Sequence, residues 1–304
     1  MNILGKRYYF FAFSLLLIVP GLFLLFKGGV PLSIDFTGGS LLEVRFDSAQ
    51  PQPAEILAVY EDLGIKDAQA QTTSQGTYLI RSAFMDEAIR SQVTAKLTES
   101  IGPNTVLRFD SVGPTIGKQV TQRGLLAVGI AALAVVIYIT IVFNKIPHAF
   151  RYGVCAIIAM VHDVAVALSV AGYGRALLGW QVDVLFLTAL LTVIGFSVQD
   201  KIVVFDRIRE NSSVLRRWPF ETLANHSIIQ TLQRSINTQL MTVEFMLLAL
   251  ALFGGITLRE FAVVLLFGLL SGTYSSIFIA APILVVWENQ EWKRWFGRGG
   301  QQPA

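Results

Sequence analysis

A chain of 304 residues that is 53% hydrophobic and only 15% charged, with a mean hydropathy of +0.57, lies well below the roughly 25% charge of a soluble domain. That excludes an ordinary soluble globular protein and predicts an integral membrane protein. A net charge of +3 would suit nucleic acid, but the Lys and Arg residues sit beside apolar runs, where they set topology. The single Cys155 lies inside an apolar run, which excludes an internal disulfide. The three histidines have no ligand spacing, so no metal site is expected.

Lys6 and Arg7 precede an apolar run over residues 8–26, close to the ~20 residues that span a bilayer. No small-residue cleavage site follows, so the run is expected to be an uncleaved first transmembrane helix rather than a signal peptide. Residues 29–122 then change character. Alternation over 41–46 predicts a strand, and a proline at 53 opens a helix over 53–63. Strands are expected over 67–73 and 77–82, joined by a Ser-Gln-Gly turn, then a helix over 85–101 and a last strand over 106–112. The order β-α-β-β-α-β is the ferredoxin-like layout.

Five more spans are predicted, over 124–143, 152–172, 182–205, 236–253 and 261–287. The fold expected is therefore a polytopic α-helical membrane protein with six transmembrane helices and one α+β ferredoxin-like domain outside the cytoplasm. The Lys and Arg residues near short loops gather on one side, which places both termini in the cytoplasm and residues 29–122 across the membrane. The division is 1–28 for the N-terminus and first span, 29–122 for the external domain, 123–288 for the remaining spans, and 289–304 for a cytoplasmic tail. Within it, the cytoplasmic loop 206–235 carries an amphipathic pattern after Trp218-Pro219, which suits either a helix on the membrane surface or a contact for a cytosolic partner.

The chemistry concentrates in residues 196–211, where an apolar run carries Asp200, Lys201, Asp206, Arg207, Arg209 and Glu210. A charge near the middle of a span costs about 2.5–3.5 kcal/mol on insertion scales, so it persists where it is paired, hydrated or used. Asp200 shares a helix face with Val203, Val204 and Arg207, whereas Asp206, Arg209 and Glu210 read as a solvated helix exit. Arg234, at the foot of the next span, is the candidate partner. An acid that exchanges an arginine for a proton can couple a gradient to movement; a static pair that sets helix register is the competing reading. His162-Asp163, halfway along a span, could extend a proton path or form a packing pair. Glu244 is also mid-span, with Gln239 and Thr242 as candidate neighbours. Gly268, Gly272, Ser276 and Ala280 form a small-residue stripe for helix packing, within the chain or against a second subunit.

Several motifs appear in order: Asp35-Phe-Thr-Gly38-Gly39 after the first span, Ser111-Val-Gly-Pro-Thr-Ile-Gly117, His162-Asp163, Ile202-Val-Val-Phe-Asp206-Arg207-Ile-Arg209-Glu210-Asn211, and Gln230-Thr-Leu-Gln-Arg234-Ser-Ile-Asn-Thr238. Nearly end to end, the chain resembles the SecF proteins of the SecD/SecF protein-export family, related to the resistance–nodulation–division transporters. The resemblance implies Asp200 as a proton-linked aspartate and Arg234 as a functional arginine. It also implies SecD and the SecYEG channel as partners, an unfolded translocating polypeptide as cargo, and a prokaryotic inner membrane. No enzyme activity or cofactor is implied; the coupling ion is H⁺, with Na⁺ as the alternative. A small-molecule or lipid exporter and a non-transporting scaffold are the rival functions. The chain departs from the family pattern at Gln199, usually Asn, at Lys201, usually Thr or Ser, and at Gln239, where Ser is expected. Lys201 is expected either to stabilise the charge of Asp200 or to snorkel to the interface.

Overall fold

The computed structural model describes residues 2–27, 29–47, 50–73, 76–143, 149–239, 245–291 and 293. It divides into two compact units, Met1–Pro31 with Ala127–Ala304, and Leu32–Leu126. The first helix, α1 (Arg7–Phe26), belongs to the larger unit.

The smaller unit opens on a single helical turn, α2 (Ile34–Thr37), capped by the Ser33 hydroxyl, which accepts from the Asp35 N–H at 3.2 Å. Then come β1 (Gly39–Phe46), α3 (Pro53–Asp62), β2 (Gln69–Thr72), β3 (Tyr78–Ser82), α4 (Glu87–Ser100) and β4 (Asn104–Val112). The four strands form one antiparallel sheet in the order β2-β3-β1-β4. Period-2 alternation puts Leu42, Val44 and Phe46 of β1 on one face with Tyr78 and Ile80 of β3. Ile56, Val59 and Tyr60 of α3 and Val93 and Leu97 of α4 close that core. Each such side chain, fully enclosed, contributes roughly 1.5–3 kcal/mol. The β2 strand is shorter than the sequence pattern suggests. Asp67 sits at φ +58°, outside the β region, so it turns the chain before pairing begins.

Two of the sequence motifs meet in this unit. Gly38 has φ +74°, and a Cβ on it would lie 2.8 Å from Pro114 Cα; a Cβ on Gly117 would lie 2.6 Å from the Gly38 nitrogen. Thr121 Oγ1 donates to the Phe36 carbonyl at 3.1 Å. The glycines are there because backbone lies against backbone. Gly117→Ala is therefore expected to cost about 2–3 kcal/mol through overlap, whereas Gly76→Ala, with open space around it, pays only the positive-φ penalty of about 1 kcal/mol. Thermal unfolding of the full chain in detergent checks the difference.

Among the described residues, five helices are long and apolar enough to cross a membrane: Leu4–Phe26, Pro114–Phe143, Ala149–Leu178, Val184–Val214 and Leu258–Glu288. They correspond to α1, α5 (Pro114–Phe143), α6 (Ala149–Leu178), α7 (Val184–Val214), and a final rod built from α10 and α11. After α7 come α8 (Phe220–Gln239) and α9 (Phe245–Phe253). The final rod is α10 (Ile256–Ser275), a π-helical segment Ser276–Ala280, and α11 (Ala281–Glu288). The stretch expected as a span over 236–253 falls on the end of α8, on residues outside the description, which include Thr242 and Glu244, and on α9. The last rod is the most enclosed, with 61% of its apolar window buried against 6% for α5.

Close backbone contacts hold the large unit together. A Cβ on Gly21 of α1 would lie 2.5 Å from Ser169 Cβ of α6, and one on Gly172 would overlap the Gly21 carbonyl oxygen. Pro20 interrupts the hydrogen-bond ladder of α1. Close to it, the hydroxyls of Ser169 and Tyr173 donate to the carbonyls of Ile18 and Leu17, at 3.0 and 2.8 Å, and so cross-link α6 to α1.

The amphipathic pattern after Trp218-Pro219 forms α8, whose apolar face packs on the chain itself. Leu223, Ala224, Ser227 and Ile228 are buried. Asn211 donates to Ser227 Oγ at 2.8 Å and to Gln230 Oε1 at 2.9 Å, and Arg207 Nε donates to the same Gln230 oxygen at 2.7 Å. Arg207–Glu210 and Arg209–Asp206 form half-exposed ion pairs one turn apart, so the helix exit also serves to dock α8. Asn225 Oδ1 accepts from the Ile3 N–H at 2.8 Å. The Arg7 guanidinium joins Glu221 of α8 to Glu291, which also accepts from Tyr8 Oη at 2.7 Å.

Burial alone would raise the pKa of Glu291, but the hydrogen bonds from Tyr8 and Arg7 outweigh it and hold the carboxyl below its ordinary value. A depressed folded-state pKa stabilises the fold above the unfolded value, near 4.3, and that contribution fades as pH falls through the folded value. Glu291→Gln should thus lower the melting temperature at pH 7 by a few degrees, with the gap to wild type closing below about pH 4. Melting curves across that range in detergent decide it.

Candidate functional site

Three helices converge on Asp163. Gly268 brings α10 onto α7, where a Cβ on it would overlap the Val193 side chain, while a Cβ on Gly272 would meet Ser197 Cα at an ordinary 3.5 Å. The small-residue stripe is thus used inside the chain, and Ser276, fully buried, donates to the Gly272 carbonyl at 2.7 Å. That close approach brings the side chains of α6, α7 and α10 together in an apolar interior.

Asp163 is wholly buried. Its Oδ2 accepts from Ser197 Oγ at 2.6 Å, Lys201 Nζ at 2.7 Å and Ser275 Oγ at 2.7 Å. Its Oδ1 accepts from Ser271 Oγ at 2.6 Å and lies 3.1 Å from His162 Nδ1. Lys201, equally buried, also donates to Ser197 O at 3.0 Å and to Ser197 Oγ at 2.6 Å. An ionised carboxylate only accepts and an ammonium only donates, and every contact here obeys that. Lys201 does not snorkel to the interface, and although its charge still acts on Asp200 its hydrogen bonds go elsewhere: consecutive residues on a helix point about 100° apart, so Lys201 faces α6 and α10.

Asp200 faces α8. Ser235 Oγ donates to its Oδ1 at 2.7 Å, while its Oδ2 is buried without a hydrogen-bond partner. The expected ion pair with Arg234 is not formed, because Ser235 occupies the direction towards Asp200 and its neighbour Arg234 is exposed on α8. His162 stacks on Tyr274 at 6.1 Å and 25°, and its Nε2 is likewise buried without a partner. Tyr274 Oη donates to the Phe10 carbonyl at 3.1 Å and accepts from Ser14 Oγ at 3.3 Å. The π-helical segment begins at Ser276, immediately after Ser275, and such wide turns are frequent at functional sites.

Sequence reasoning picked out Asp163, His162 and Asp200 but missed Ser197, Ser235, Ser271 and Ser275. A signal for some of them was present. Ser197 and Lys201, like Ser271 and Ser275, stand four apart on apolar helices and so share a face. Among the described residues, no group of three or more His, Cys, Asp or Glu is placed to hold a metal ion. The site can hold a fixed buried charge pair and, beside it, a carboxyl group with one oxygen free.

The family description "Protein export membrane protein SecD/SecF, C-terminal" matches residues 92–290, and "SecD/SecF GG Motif" matches residues 23–50. The chain belongs to the SecD/SecF family. Within that family it is 66% identical to the protein translocase subunit SecF of Anaerolinea thermophila, over 100% of this chain and 99% of that one. It is 44% identical to SecF of Thermobaculum terrenum, over 100% and 99%. The crystal structure of Thermus thermophilus SecDF, described as a translocon-associated membrane protein, superposes with a TM-score of 0.80 at 32% identity. That match covers 95% of this chain and 39% of SecDF, so the SecD/SecF-family fold seen here spans about two-fifths of that longer protein.

Proposed function

We propose that this chain is a SecF-type subunit of the protein translocase, in which proton exchange at Asp200 drives rearrangement of α7 and α8 and thereby assists polypeptide export. The observation that carries the reading is the asymmetry of the two buried acids. Asp163 is saturated with donors and paired with Lys201, whereas Asp200 has no charged partner: Ser235 donates to one oxygen, the other has no hydrogen bond of normal geometry, and the nearby Ser276 hydroxyl donates to the Gly272 carbonyl. A buried polar atom without a partner is costly, and here protonation is the change that removes the charge.

Arg234 follows from the same geometry. It adjoins Ser235, so turning α8 by about 100° exchanges a hydroxyl for a guanidinium at Asp200. His162, next to Asp163 and with a free Nε2, extends the polar path. In this reading six spans cross a prokaryotic inner membrane with both termini cytoplasmic. The antiparallel-sheet unit is a ferredoxin-like domain on the far side, where it meets the emerging polypeptide. SecD supplies the other helical half, and the assembly works beside SecYEG. No covalent chemistry is involved. The test is preprotein export in membrane vesicles carrying Asp200→Asn, with the proton gradient present and then collapsed.

A further inference from the structure

We propose that Lys201 is the resident cation of this site, a tethered ammonium seated in an oxygen cage that keeps Asp163 ionised and confines proton exchange to Asp200. The last clause rests on the function proposed above; the cage itself does not.

An ammonium has three N–H donors, and Nζ meets three acceptors: Asp163 Oδ2 at 2.7 Å, Ser197 O at 3.0 Å and Ser197 Oγ at 2.6 Å. Because Ser197 Oγ accepts from the ammonium, its own hydrogen is free for Asp163, which it reaches at 2.6 Å. Ser275 and Ser271 add hydroxyls at 2.7 and 2.6 Å. The oxygens on Nζ are thus a carboxylate, a main-chain carbonyl and a hydroxyl, while Ser271 and Ser275 hold the carboxylate from its other sides. The cation they hold is a side chain anchored one residue from Asp200. The titratable groups around the pair are His162 on α6, which lies against Asp163, Tyr274 on α10, which stacks on His162, and Asp200, next to Lys201 on α7 but turned to α8. On the α8 side the facing group is Ser235, with Arg234 exposed.

Removing one partner of a buried pair leaves an uncompensated charge, which a carboxylate relieves by taking a proton. Lys201→Met should therefore convert Asp163 into a second titrating group. Removing both partners together should be tolerated, since apolar replacement of a buried pair is often neutral.

The experiment is a pH titration of the full chain in membranes, following the infrared carbonyl band of protonated carboxyl groups. Wild type, Lys201→Arg, Lys201→Met, Lys201→Met with Asp163→Asn, and Asp200→Asn are compared, with folding monitored by thermal melting. Over the background of other acids such as Glu291, wild type and Lys201→Arg are expected to show one buried titrating carboxyl that Asp200→Asn lacks. A second is expected in Lys201→Met and not in the double variant. A folded Lys201→Met with the wild-type count overturns the proposal. Should Lys201→Met not accumulate, the double variant decides. Retention of the wild-type Asp200 titration supports the proposal, and its disappearance overturns it. The band reports protonation and not export. A failure of the proton-coupling reading, seen as normal gradient-driven export by Asp200→Asn, is thus distinct from a failure here.

Discussion

Asp200→Asn is expected to abolish the gradient-stimulated part of preprotein export while leaving membrane insertion and thermal stability near wild type. The substitution is nearly isosteric, and the amide oxygen can still accept from Ser235 Oγ, which now lies 2.7 Å from Asp200 Oδ1. What is lost is the capacity to gain and lose a proton. The new amide nitrogen occupies the position of the oxygen that has no partner, so no existing hydrogen bond is broken. In vesicles, the variant should export at the same rate with and without a gradient, at the level of wild type after collapse. Equal responses of variant and wild type to the gradient would make Asp200 structural and move the scaffold reading ahead.

The largest effect on stability is expected from Gly172→Val. A side chain there meets backbone, the Gly21 carbonyl oxygen and the Leu25 nitrogen, and backbone cannot swing aside as a flexible side chain can. The α1 helix must then move away from α6. With it go the Ser169 and Tyr173 hydrogen bonds that tie α6 to the Ile18 and Leu17 carbonyls of α1. Overpacking alone costs about 1–3 kcal/mol, and each lost hydrogen bond adds about 0.5–1.5 kcal/mol. Gly129→Val on α5, where nothing lies within 4 Å, is the control and should change little. Melting in detergent should separate the two variants clearly; equal melting temperatures would show that α1 does not depend on this crossing.

Much of the architecture was legible because it is local. Leu42, Val44 and Phe46 announce a half-buried strand by period 2, and Val93 and Leu97 a helix face by spacing of four. The apolar runs state their own transfer preference. Local pattern also marked His162-Asp163 and Asp200 as buried ionisable groups. It could not pair them, since Asp163 and Lys201 are 38 residues apart and their meeting depends on how α6, α7 and α10 rotate about their axes. A rotation of one residue, about 100°, exchanges Ser235 for Arg234 at Asp200, and no spacing rule distinguishes those two outcomes.

The sequence by itself determined the membrane class, the small α+β unit between the first and second spans, the order of its four strands and two longer helices, and the presence of acids within apolar helices. Each follows from hydrophobicity and periodicity, which are properties of neighbours along the chain. Only the tertiary structure decided that Lys201 belongs to Asp163, that Asp200 keeps one oxygen unbonded, and that the glycines of two distant motifs lie backbone to backbone. Those contacts depend on helix rotation and interaxial distance, set by many side chains packing at once.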